Sequence, residues 1–132
     1  MGLDNSFVVK NVYGADVPYW VKLPFYFDID DDDSSWEIAY FRKYWGLRGE
    51  ILDKIHSKPG EWKTPVESED ILPIVKILMK YLDEQYYEEN ADSIWEFDEA
   101  QDNIQQSIIN LIWLKTYMEQ HPEVECYFYD SY

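Results

Sequence analysis

This sequence predicts an α+β fold: a small mixed or antiparallel sheet, built from N-terminal strands and a C-terminal strand, packed on about three helices. Three observations lead there. Runs of β-branched and aromatic residues stand near both ends, and apolar stripes at helical spacing fill the middle. The 132 residues, 46% of them hydrophobic, suit one domain with a core, so 1–132 reads as a single acidic α+β domain.

The first strand is expected over Ser6–Tyr13 (SFVVKNVY), closed by Gly14. Val17–Phe27 is also β-like, but Pro18 and Pro24 cannot donate to a ladder, which predicts an edge or broken strand. Asp28–Asp33 reads as an acidic loop.

A first helix is expected to start at Ser34 and end near Ile55. Ser34 and Glu37 stand at capping-box spacing, and Trp36, Ala39, Tyr40, Tyr44, Leu47 and Ile51 recur at helical intervals. Gly46 and Gly49 weaken it. Lys58-Pro59-Gly60 marks a turn. A second helix is expected over about 68–87, with Pro73 in its early turns and Ile71, Ile74, Val75, Leu78, Met79 and Leu82 as its apolar stripe. The third runs over about 97–120, with Ile104, Ile108, Leu111, Ile112 and Met118 facing inward, and His121-Pro122 stops it. Glu123–Tyr129 then alternates, with Val124, Cys126 and Phe128 on one face of a strand.

Charge bounds the partners. With 27 acids against 11 Lys and Arg, the net charge is −16. Such a field repels phosphate backbones and anionic lipid, so neither nucleic acid nor membrane is an expected direct partner. A basic protein is. The single cysteine, Cys126, excludes an internal disulfide and suits a reducing compartment. No apolar run approaches membrane-spanning length, no secretory signal opens the chain, and a cytoplasmic location is the expectation. The opening Met-Gly-Leu-Asp-Asn-Ser fits the loose myristoylation pattern, but a chain this acidic has no basic patch as a second anchor. The 18% aromatic content predicts that some rings line an interface, and a homodimer is one form that interface could take.

Signatures of catalysis are few. The five glycines form no phosphate loop or dinucleotide fingerprint, and no nucleophile elbow or paired zinc-type histidines occur. His56 and His121 stand at predicted helix ends, where they serve exposed carbonyls. Asp28, Asp30 and Asp32 alternate like the first ligands of a calcium loop. Asp33 and Ala39, however, occupy the positions of the required glycine and closing glutamate. No cofactor is expected, and the chain leans away from being an enzyme.

Two features carry function. Residues 1–64 hold 11 acids and 8 bases, whereas 65–132 hold 16 acids and only Lys76, Lys80 and Lys115. Within that half, Asp83, Glu84, Glu88, Glu89, Asp92, Glu96, Asp98, Glu99 and Asp102 follow one another without a base. Like charges four apart on a helix are destabilising, so the run points either to a solvated face or to mimicry of nucleic-acid phosphates. Tyr86, Tyr87 and Trp95 would be its aromatic anchors. The second feature is Trp36–Arg48, where Arg42, Lys43 and Arg48 sit among five aromatics including Tyr40 and Trp45. This is either a pocket for a phosphate-bearing ligand or a set of internal salt bridges.

Met1-Gly2-Leu3-Asp4, followed by Tyr40-Phe41-Arg42-Lys43, resembles a group of small phage and prophage proteins that open Met-Gly-Leu-Asp and carry Tyr-Trp-Arg-Lys at the start of a helix. Phe41 replaces the Trp of that motif. The likeness covers roughly the first 50 residues and leaves the acidic half unexplained. It implies a viral accessory protein in which Asp4, Tyr40, Arg42 and Lys43 form the shared site, with Asp4 set to pair with Arg42. The leading expectation is therefore an inhibitor of a host protein such as a defence nuclease, acting through the acidic surface. The alternative is a nucleotide-sequestering protein using segment 36–48.

Overall fold

The computed structural model describes residues 4–13, 16–22, 36–42, 45–58, 63–83 and 94–131. Its elements are β1 (Asp4–Lys10), β2 (Trp36–Arg42), α1 (Trp45–Lys54), β3 (Lys63–Val66), α2 (Ser68–Asp83), α3 (Ile94–Gln120) and β4 (Glu125–Ser131). The four strands form one antiparallel sheet in the order β2-β1-β4-β3, so the α+β expectation holds and the two end strands pair at its centre.

Alternation sorts the sheet's two faces. Phe7 lies opposite both Ala39 and Phe128, and Val9 lies opposite Cys126. These residues join Leu47 and Ile51 of α1, Ile71, Ile74 and Leu78 of α2, and Ile104, Leu111 and Leu114 of α3 in one buried core. Phe7 meets Phe41 edge-on at 6.3 Å and Phe128 at 5.0 Å. Val8 is also buried but lies outside that core, on the opposite face with Ser6, Glu37 and Tyr40.

The expected helix from Ser34 is corrected in its first half. Trp36–Arg42 is strand β2, and the helix begins only at Trp45. WEIAYFR satisfies a strand period as well as a helical one, and β1 offers it a full ladder with a bulge between Phe7 and Val8. Glu37 does not serve a capping box; its carboxylate accepts a hydrogen bond from Ser6 Oγ on β1. Residues 16–22 form turns rather than the expected edge strand. Residues 23–35, including the Asp28–Asp33 loop, lie outside the described residues, as do Pro59 and Gly60. Strand β3 was not expected, since Lys63-Thr-Pro-Val is short, polar and contains a proline that only an edge strand tolerates.

Helix α2 starts with a reach-back cap, the Glu67 amide donating to Asp70 Oδ2 at 3.0 Å. Helix α1 ends in a Schellman turn. The Ser57 amide donates to the Leu52 carbonyl and the His56 amide to the Asp53 carbonyl, with His56 at φ 56°.

Candidate functional site

The outer face of α3 is an uninterrupted exposed stripe. Asp102, Gln105, Ile109, Ile112, Thr116 and Glu119 follow at alternating steps of three and four, which keeps them on one side of the helix. Ile109 is 39% exposed and Ile112 48%, so the middle is apolar and both ends are acidic. Ile112, expected in the core, faces outward because the inward arc belongs to Ile104, Ser107, Asn110, Leu111 and Leu114.

A fixed loop flanks this stripe. Wholly buried Asn110 donates through Nδ2 to the Lys22 carbonyl at 2.7 Å and to the Ile38 carbonyl at 3.0 Å. Gln106 Nε2 donates to the Trp20 carbonyl at 3.0 Å and to Asn110 Oδ1 at 2.8 Å. Val12 and Val21 enter the core, while Tyr13, Tyr19 and Trp20 stay exposed. The Tyr117 hydroxyl donates to Asp16 Oδ2 at 2.9 Å; burial first, then that carboxylate, raises the hydroxyl's pKa. Trp113, Tyr117 and His121 stack along α3 with centroids at 4.9 and 4.0 Å, and His121 Nδ1 lies 3.0 Å from the Tyr117 carbonyl. His121 therefore sits as a helix-end residue would.

The acidic run is placed in part. Asp83 closes α2, and Trp95, Glu96, Asp98 and Glu99 lie in the first turns of α3, where the helix dipole favours negative charge. Asp102 is exposed on the α3 stripe. Glu84, Tyr86, Tyr87, Glu88, Glu89 and Asp92 lie outside the described residues. Of the three lysines in this half, Lys80 pairs with Glu50 at 3.2 Å and Lys115 pairs with Glu119.

The residues of segment 36–48 are dispersed. Arg48 turns inward from α1 to Asp130, whereas Tyr40 is on the other face of the sheet, level with Ser6 and Tyr129. The two do not share a pocket. Asp4 and Arg42 stand opposite each other in the register of β1 and β2, so Arg42 lies on a strand and not on the expected helix. Trp45 opens α1, and Lys43 lies outside the described residues.

Neither a protein-family model, nor a characterised protein, nor a solved structure matches the chain. No group of three or more His, Cys, Asp or Glu with metal-holding geometry occurs among the described residues, and no described helix is long and apolar enough to cross a membrane. Burial, with a lesser push from the Glu67 charge, raises the Cys126 thiol to about 12, so it is no thiolate nucleophile near neutrality. The exposure of Tyr13, Tyr19, Trp20 and Ile109 is not among the sequence expectations. The prolines at 18 and 24, which argue against a paired strand, were the available signal.

Proposed function

We propose that the chain is a phage-type accessory protein that binds and inhibits a basic host protein, such as a defence nuclease, through the acidic half of its surface. The observation that carries this reading is the α3 stripe, in which Ile109 and Ile112 lie exposed between Asp102 and Glu119. An apolar centre with a charged rim is the anatomy of a protein interface. The helix also begins in the acidic run, so it carries charge of the sign that a basic nucleic-acid groove attracts. The phage assignment rests on the Met-Gly-Leu-Asp and Tyr-Phe-Arg-Lys motifs alone.

The test is retention of proteins from a bacterial lysate on the tagged chain at low and high salt, followed by an activity assay of whatever is retained. A basic nucleic-acid enzyme that is released by salt and inhibited by the chain is expected. Ile109→Lys with Ile112→Lys should abolish inhibition, and so should conversion of Glu96, Asp98, Glu99 and Asp102 to their amides. Undiminished inhibition by both variants would end the proposal.

A further inference from the structure

We infer that the Asp16–Trp20 turn is a receptor for an arginine side chain of the basic partner, an inference that rests on the partner reading above. The turn is fixed at its ends and bare in its middle. Val12 and Val21 are buried on either side of it, and α3 holds the Trp20 and Lys22 carbonyls. Between these points Tyr19 is 89% exposed and Trp20 50%, their rings meeting edge to face at 5.3 Å and 84°. Large rings left in water on a pinned backbone have little further freedom to lose on binding.

Both the rings and their surroundings select a cation. An aromatic face carries negative charge density, and the chain's net charge of −16 adds a field of the same sign. Arginine fits better than lysine, because a flat, weakly hydrated guanidinium stacks on a ring while its fork grips a carboxylate. Asp16, exposed three residues before Tyr19 in the same turn, is the carboxylate offered to that fork. Tyr117 occupies one of its acceptor positions, and a carboxylate offers about four.

The experiment titrates the isotope-labelled full chain with capped hexa-arginine and hexa-lysine peptides at low salt, following amide and indole NMR signals. Hexa-arginine should bind about two- to fivefold tighter than hexa-lysine and shift the Trp20 indole and the Asp16 and Tyr19 amides most. Tyr19→Ala with Trp20→Ala, both at exposed positions, should erase the preference while leaving the thermal midpoint in place. Equal affinities with an unmoved Trp20 indole would overturn the site while leaving inhibition of the captured protein as it was. An arginine preference seated at Trp20 in a chain that retains no basic protein would support the site and overturn the partner reading instead.

Discussion

Arg48 and Asp130 form a two-pronged ion pair inside the fold, with Nε donating to Oδ1 at 2.6 Å and Nη2 to Oδ2 at 2.8 Å. The Asp130 side chain is fully buried, and Asn5 Nδ2 donates to the same Oδ1 at 2.7 Å. The pair thus ties α1 to the two central strands, and Arg48 is spent on the fold. Replacing Arg48 with Met leaves a buried carboxylate without its counterion, which costs about 3–5 kcal/mol. Adding Asp130→Leu should restore part of that loss, because no bare carboxylate remains, although buried Asn5 Nδ2 then loses its acceptor. Urea unfolding of the single and double variants checks it; a single variant with the wild-type midpoint would refute the structural role.

His56 occupies the left-handed position that ends α1, where glycine is ordinarily favoured. It is exposed, so little packing is lost on its removal. His56→Gly should raise stability modestly, by less than about 1 kcal/mol, because relief of the strained backbone exceeds the added freedom of the unfolded chain. Asn11 shares the geometry at φ 67°, but its side chain donates to the Glu123 carbonyl at 2.8 Å. Asn11→Gly should therefore destabilise. Opposite shifts in thermal midpoint are the expected readout.

The glycines of α1 separate in the same way. A methyl group at Gly49 meets nothing within 4 Å, whereas one at Gly46 comes 2.9 Å from the Tyr81 hydroxyl. Gly49→Ala should add about 0.5–1 kcal/mol through helix propensity. Gly46→Ala has the same gain opposed by displacement of Tyr81. Chemical denaturation of the two variants should rank Gly49→Ala above Gly46→Ala.

Elements with one dominant periodicity were legible in the sequence. The stripe of α2 reappears except at Met79, which is 49% exposed because it lies with Leu72 and Lys76 on the outward side of the helix. The end of α3 at Gln120 and the alternation of Val124, Cys126 and Phe128 reappear as well. WEIAYFR was not legible, because its spacing satisfies two periods and only pairing with β1 decides between them. Strand β3 has too few residues to show a period at all. Charge segregation could be counted, but the surface position of Tyr19 and Trp20 could not. It depends on two α3 side-chain amides, half-buried Gln106 and buried Asn110, reaching carbonyls more than eighty residues away in sequence.

Asn110 carries that long-range link. Its removal as Asn110→Ala leaves the Lys22 and Ile38 carbonyls short of a donor and Gln106 short of an acceptor. The expected cost is about 1–3 kcal/mol. Hydrogen exchange should rise at residues 19–22 more than in β4, to which none of these three hydrogen bonds runs. Uniform acceleration across the chain would show that the residue supports the core alone and not the loop.

Cys126 makes the fold sensitive to alkali. Burial raises its thiol from 9.0 to about 12, so the folded state keeps a proton that the unfolded chain releases. Between those values the unfolded state binds fewer protons, and stability must fall as pH rises, by at most about 1.4 kcal/mol per pH unit. The raised hydroxyls of Tyr117 and Tyr127 act in the same direction at higher pH. Cys126→Ala forfeits some packing at neutral pH but removes the thiol's share of the slope. The two chains should therefore converge in stability as pH rises from 9 to 10. Parallel curves over that interval would show that the thiol is not the group that titrates.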